Sequence, residues 1–208
     1  MSARGQAAKE QGKGAFPLLD SGSETMGRGL MVEPCLPDRV EVLLSEEQIR
    51  RRVLELGREI GSDYRGSIPI LAGVLKGSFI FLADLVRALD IPHEVDFVEV
   101  TSYRGTSSSG AVQLVKDLSR SIQDRHVILV EGIVDTGLTS EFIRTHFLNQ
   151  RPASLRIAAL LYKKVCTQRE VPLDYVGFVV PDRFLVGYGL DVDEAWRHLP
   201  YVGVVREG

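Results

Sequence analysis

A length of 208 residues with 44% hydrophobic composition suffices to bury one sizeable core, so a single domain with an appended tail is expected. The net charge of −3 excludes a general attraction to nucleic acid or an anionic membrane, although a local basic site is compatible with it. Cys35 and Cys166 lie far apart and fit no metal spacing, no apolar run approaches the ~20 residues of a membrane span, and the first residues lack a signal-peptide pattern, so a reducing, cytoplasmic setting is expected.

Residues 1–37 are rich in Gly, Ser and charge without periodicity, and read as a flexible tail ahead of a domain at 38–208. Ser45-Glu46-Glu47-Gln48 is a capping-box pattern, and Ile49, Val53, Leu56 and Ile60 recur at helical spacing, which predicts a helix over 46–60. A strand over 68–74 and a helix over 77–89 follow, then strands over 94–100 and 127–130, a helix over 141–149, and strands over 155–161 and 176–180. Such alternation predicts an α/β fold built on a doubly wound parallel sheet. Residues 101–118, with Ser107-Ser108-Ser109-Gly110, are too polar and glycine-bearing to pack alone. They read as a mobile excursion, with an ordinary solvated hairpin as the other reading.

The most informative stretch is HVILVEGIVDTGLT at 126–139. Val127, Ile128, Leu129 and Val130 are uninterrupted and mostly β-branched, which suits a central parallel strand buried on both faces. An open α/β sheet places ligands at the carboxyl ends of such strands. The residues that follow supply Gly137, the hydroxyls of Thr136 and Thr139, and the start of a helix. Backbone N–H groups of that turn, with the positive end of the helix dipole, would cradle a phosphate monoester, leaving Glu131 and Asp135 beside it. Asp-Thr-Gly by itself also suits a plain capping turn or an aspartic protease, although proteases of that kind are all-β. There is no Walker A pattern, Gly187-Tyr188-Gly189 lacks the context of a dinucleotide fingerprint, and His93, His126, His146 and His198 form no metal-like spacing.

With that stretch, four others complete a resemblance: VLKGSFIFLADL at 74–85, VDFVEVTSY at 95–103, ALLYKK at 159–164 and YVGFVVPDRFLVGYGLD at 175–191. In order and spacing, over roughly 40–205, they resemble the hypoxanthine-guanine branch of the type I phosphoribosyltransferases. The resemblance implies that family's doubly wound sheet with a small hood from the chain ends. It implies transfer of 5-phosphoribosyl from phosphoribosyl pyrophosphate to hypoxanthine or guanine, with Mg2+ as cofactor, no nucleic-acid or membrane partner, and a homodimer or homotetramer. A nucleotide-binding regulatory paralogue and a xanthine-preferring transferase share the same motifs and stay open.

Carried over residue by residue, the resemblance assigns the phosphoribosyl group to Glu131, Asp135, Thr136, Gly137, Leu138 and Thr139. Asp135 is the catalytic residue, a carboxylate facing the purine's five-membered ring that accepts the N7 proton. A capping role for Asp135 competes with this. Lys76, Gly77 and Arg197 take the pyrophosphate, and in the family a cis peptide often precedes the lysine. Lys163 donates to the purine O6, Tyr175 stacks on the base, and the main chain of Val176 reads its far edge. Strand alternation points Lys164 to solvent, unless the strand ends one residue earlier and the two lysines exchange roles. Glu131 and Asp182 are the acids for the metal, with Asp182 also beside the purine. Ser102 and Tyr103 belong to a lid that excludes water from the reacting centre. One departure stands out, since the family's paired acids become Glu131-Gly132 here. On charge alone, restoring the acid at 132 should tighten phosphoribosyl pyrophosphate binding by about one to two orders of magnitude.

Overall fold

The computed structural model describes residues 39–102, 112–166, 169 and 171–206. The chain divides into the units Met1–Pro34 and Cys35–Gly208, and the tail expected over 1–37 lies outside the described residues. The described elements are β1 (Val40–Leu44), α1 (Glu46–Asp63), β2 (Ile70–Leu75), α2 (Phe79–Ala88), β3 (Glu94–Ser102), β4 (Val112–Lys116), β5 (His126–Val134), α3 (Leu138–Leu148), β6 (Ser154–Tyr162), β7 (Tyr175–Val179), β8 (Leu185–Val186) and β9 (Val202–Val205).

Six strands form the main sheet in the order β4-β3-β2-β5-β6-β7. β2 pairs parallel with β3 and β5, β5 with β6, and β6 with β7, while β4 returns antiparallel along β3. Strand β5 is central because its sequence leaves it nowhere else to go: seven of its nine residues are buried, including every position of the Val127 to Val130 run. Helices cover both faces. On one side Ile49, Val53, Leu56 and Ile60 of α1 and Phe81, Leu82 and Leu85 of α2 pack against Leu71, Ile128 and Val130. On the other, Ile143 and Phe147 of α3 pack against Ile70, Val127, Leu129 and Ile157. Alternation along each buried strand divides these sets, successive side chains going to opposite cores. A second, antiparallel sheet of order β1-β9-β8 joins the two ends of the described domain as a hood.

The helix start at α1 follows its sequence pattern closely. Ser45 Oγ accepts from the Gln48 N–H at 3.3 Å, and Gln48 Oε1 accepts from the Ser45 N–H at 2.9 Å. Elsewhere boundaries move. β5 continues four residues past the expected 127–130, so Glu131 lies within the strand, and α3 begins at Leu138 directly after Gly137. The excursion expected over 101–118 is a hairpin at its base: Val100 faces Leu114 and Thr101 faces Gln113. The Asp96 carboxylate pins its return by accepting from the Ser119 N–H at 2.6 Å. Ser102 ends β3, whereas Tyr103 and the rest of 103–111 lie outside the described residues. No described helix is long and apolar enough to cross a membrane.

The contact between α1 and α2 yields a stability prediction. A Cβ on Gly57 would stand 2.7 Å from both the Cβ and the carbonyl oxygen of Ala88. Alanine normally gains about 1 kcal/mol over glycine inside a helix. Here overpacking prevails, and Gly57→Ala should destabilise the protein by about 1 to 3 kcal/mol in urea unfolding. A more stable variant would show that the two helices part without cost.

Candidate active site

The carboxyl ends of β5 and β6 bring the chemistry together. β5 ends at Val134, Asp135 follows, and Gly137 takes the left-handed conformation, φ 80°, as the N-cap of α3. The Arg169 carbonyl packs where a Cβ on Gly137 would sit, so this turn admits no other residue without movement. Leu138, Thr139 and Ser140 follow in the first turn of α3, where N–H groups have no intrahelical acceptor and the dipole is positive. Across the strand pair, Lys163 leaves the end of β6, its N–H donating to the Val134 carbonyl at 2.9 Å. Its side chain is buried, and Nζ donates to Asp135 Oδ2 at 2.9 Å and lies 3.7 Å from Asp182 Oδ1. Lys164 instead begins a short 3-10 turn and is exposed to solvent.

Two cavities meet this edge. One of about 990 Å³ is lined by Lys163, Asp182, Arg183, Phe184, Val192 and Arg206, among others. A smaller one of about 210 Å³ is lined by Gly77, Ser78, Val100, Glu131, Gly132 and Thr139, so the turn after β2, the end of β5 and the start of α3 share one space. The peptide between Leu75 and Lys76 is cis. Lys76 Nζ pairs with Glu194 at 3.0 Å, and Arg197 pairs with Asp191 at 2.8 Å and with Glu194 at 3.2 Å. The Lys76 ammonium and then the Arg197 guanidinium hold the Glu194 carboxyl below its ordinary pKa. Lys76 and Arg197, far apart in the chain, thus converge on one carboxylate.

Glu131 is the buried acid of the site. Burial pushes its pKa up to about 7 against the opposing hydrogen bond from Ser140, and its Oε1 has no hydrogen-bond partner among the described residues. Among those residues no group of three or more His, Cys, Asp and Glu is placed to hold a metal ion. Glu131 and the exposed Asp182 offer separate carboxylates, a donor set that suits magnesium carried largely by water and substrate oxygens rather than a protein cage.

Two assignments are corrected. Tyr175 opens β7 at the amino end, where it pairs with Ala158, whereas the sheet edge near Lys163 is reached at Val179, paired with Tyr162. That stretch of strand amounts to about 13 Å. Tyr175 is buried, its hydroxyl donating to Asp63 Oδ2 at 2.7 Å and accepting from Arg156 at 2.6 Å, with Asp63 and Arg156 themselves paired. It is a core residue of the far end and stacks on nothing in the cleft. The Val176 carbonyl is likewise taken, accepting from Arg52 of α1 at 2.9 Å. The aromatic that does line the cleft with Lys163 is Phe184, 60% exposed, which sequence reasoning passed over together with Asp191 and Glu194. The available signal was position: Phe184 follows the carboxyl end of β7, where ligands bind, and Tyr175 lies at its opposite end.

Comparison with known proteins matches the Phosphoribosyl transferase domain to residues 40–193. The hypoxanthine-guanine phosphoribosyltransferase of Bacillus subtilis (strain 168) is 44% identical over 170 residues, covering 81% of this chain and 94% of that protein. The crystal structure of a hypoxanthine phosphoribosyltransferase from Staphylococcus aureus aligns with a TM-score of 0.78 and 40% identity, over 81% of this chain and 93% of that one. The Trypanosoma cruzi hypoxanthine phosphoribosyltransferase, in complex with the product IMP, aligns with a TM-score of 0.77 and 40% identity, over 83% and 98%.

The buried carboxyl of Glu131 makes stability depend on pH. With a folded pKa of about 7 against 4.5 in the unfolded chain, the native state holds a proton that the unfolded state loses. Stability therefore falls as pH rises from 4.5 to about 7 and is level beyond, with a total cost of about 3 kcal/mol. Glu131→Gln should be more stable than the parent at pH 8, with a gain that vanishes near pH 4.5. Urea unfolding across that range measures it, and a constant difference would show that Glu131 is ionised in the native protein throughout.

Proposed function

The chain belongs to the phosphoribosyltransferase family, and on that premise we propose that it is a purine-salvage transferase acting on hypoxanthine and guanine. It moves 5-phosphoribosyl from phosphoribosyl pyrophosphate to the base, giving IMP or GMP and pyrophosphate. The observation that carries this reading is the buried Lys163 donating to Asp135 at 2.9 Å, beside the first turn of α3. A 6-oxopurine presents its O6 acceptor and N7–H donor on one edge. Lys163 donates to O6 and Asp135 accepts from N7–H, so the ligand inserts into a pair already matched to it.

The other residues fit the remaining tasks. The turn Asp135 to Thr139 offers backbone N–H groups and the α3 dipole to the 5-phosphate. Lys76, the backbone of Gly77 and Arg197 receive pyrophosphate, which takes the place of Glu194 between the two cations. Phe184 supplies the face for the base, in the role expected of Tyr175. Glu131 and Asp182 are the acids that would hold magnesium, whose charge offsets that of the pyrophosphate when bound. As purine nitrogen bonds to the ribose C1′ and the C1′–oxygen bond to pyrophosphate breaks, Asp135 stabilises positive charge growing on the base and takes the N7 proton. The reading includes a cytoplasmic setting and a homodimer or homotetramer, the latter checked by light scattering.

The test is a spectrophotometric assay with hypoxanthine, guanine, xanthine and adenine, each with phosphoribosyl pyrophosphate and magnesium. Hypoxanthine and guanine should turn over and adenine poorly, because an ammonium opposes the 6-amino donors and an unmatched buried donor costs about 1 to 3 kcal/mol. Asp135→Asn should lower turnover by about 10²-fold while nucleotide product still binds. Parent-like turnover in that variant would return Asp135 to a capping role, and absence of turnover with every base would favour a nucleotide-binding regulator.

The reassigned aromatic is separable from the old one. Phe184→Ala should raise the KM for the base by about tenfold, since stacking on a base is worth about 1 to 3 kcal/mol. Tyr175→Phe should leave that KM unchanged and lower stability by about 1 kcal/mol, the worth of its hydrogen bonds. The opposite pattern would restore Tyr175 to the site.

A further inference from the structure

Gly132 occupies the position where the resemblance led us to expect a second acid, and its surroundings show what the absence of a side chain permits. A Cβ built on Gly132 would stand 2.5 Å from the Gly77 carbonyl oxygen, 2.9 Å from its carbon and 3.4 Å from the Ser78 nitrogen. All three atoms are backbone, so none can rotate aside. A Cβ on Gly189 would strike the same Gly77 oxygen even more closely. The Gly77 carbonyl therefore sits in a slot whose two walls are glycines from distant parts of the chain, one within β5 and one in the loop after β8.

The slot reaches further. Gly189 donates its N–H to the Arg197 carbonyl at 2.9 Å and accepts from Arg197 Nη1 at 2.8 Å. Strand β5, the Lys76-Gly77 turn and the Arg197 loop are thus stacked through close backbone approaches, with the Arg197 side chain adding a hydrogen bond to the Gly189 carbonyl. Gly77 itself is not so confined, since a Cβ there would meet nothing nearer than Leu190 Cδ2 at 3.6 Å. The steric demand falls on the walls and not on the turn.

We propose that Gly132 is a positioning residue for the pyrophosphate-binding turn: its missing side chain lets Gly77 dock against β5 and sets the distance between that turn and the Glu131 cavity. The inference rests on the transferase reading for the identity of the anion, while the steric relation of Gly132 to Gly77 is independent of it. It reverses the sign expected from charge alone. An aspartate at 132 would bring a carboxylate for ribose or metal, but its Cβ would first expel the Gly77 carbonyl from the slot.

The experiment compares the full-length parent with Gly132→Ala and Gly132→Asp, reading the dissociation constant of inorganic pyrophosphate by calorimetry with magnesium, and the KM for phosphoribosyl pyrophosphate and for hypoxanthine. Both variants should bind pyrophosphate about tenfold more weakly or worse, and raise the KM for phosphoribosyl pyrophosphate similarly, at a nearly unchanged KM for hypoxanthine. A general loss of structure would move both Michaelis constants, which separates positioning from mere folding. If Gly132→Asp binds pyrophosphate or its substrate as well as the parent or better, the proposal falls and the missing acid is a simple deficit. Parent-like behaviour in Gly132→Ala overturns it too, as does failure of Gly132→Ala to fold, which would place the role of Gly132 in the sheet. A parent that binds pyrophosphate yet turns over no purine refutes the transferase reading alone, and the variants still test the slot by calorimetry.

Discussion

Burial of β5 on both faces is the constraint from which the site follows. A strand whose residues from Val127 to Gly132 are all buried must lie between two strands and beneath two helical layers. Parallel pairing with β2 and β6 then fixes which chain ends are adjacent: the Lys76-Gly77 turn on one side and Lys163 on the other. Neither neighbour is close in sequence, and no local preference could bring them together. The Asp135 carboxylate, the α3 amino terminus, the ammonium of Lys163 and the turn after β2 are assembled by the register of one sheet.

Within that frame the charged side chains of the site are paired with one another. Lys163 faces Asp135, Lys76 faces Glu194, and Arg197 faces Asp191 and Glu194. These pairs differ in weight. Lys76 and Glu194 are mostly exposed, so their attraction is screened and small. Lys163 is buried, where a charge without a partner is expensive, and Asp135 stands 2.9 Å away as an opposite charge. Glu131 is held differently again, since burial makes its carboxyl resist ionisation against the opposing hydrogen bond from Ser140.

Backbone proximity is the second resource of the site. Gly132, Gly137 and Gly189 each stand where a Cβ would meet a carbonyl, those of Gly77, Arg169 and Gly77 respectively. At two of these, Gly137 and Gly189, the left-handed conformation is a further demand. Close backbone approach lets main-chain groups, which are fixed by the fold and not by rotamers, form the walls that an anion would meet. The same closeness makes the site intolerant of small additions, in contrast to Gly66, whose surroundings are open.

Much of this was legible in the chain itself, because it depends on local pattern. The capping box at Ser45, the helical stripe of α1, the apolar run of β5 and the Asp-Thr-Gly turn report periodicity and backbone chemistry within a few residues of one another. They specify the alternation of strands and helices, and hence the edge of the sheet where ligands bind. What they leave undecided is distance across the fold. Tyr175 and Phe184 are both aromatics close to β7 in sequence, and only the register of β7 against β6 sends one to the buried end with Asp63 and Arg156 and the other to the cleft with Lys163. Gly132 reads in sequence as a lost carboxylate, and only packing discloses the Gly77 carbonyl pressed against it. The sequence by itself determined which elements form and where the Asp-Thr-Gly turn opens a helix, since those are short-range matters of hydrogen bonding and hydrophobic period. The tertiary structure alone decided which side chains share a cavity, since sheet register and steric exclusion act between residues that the chain keeps far apart.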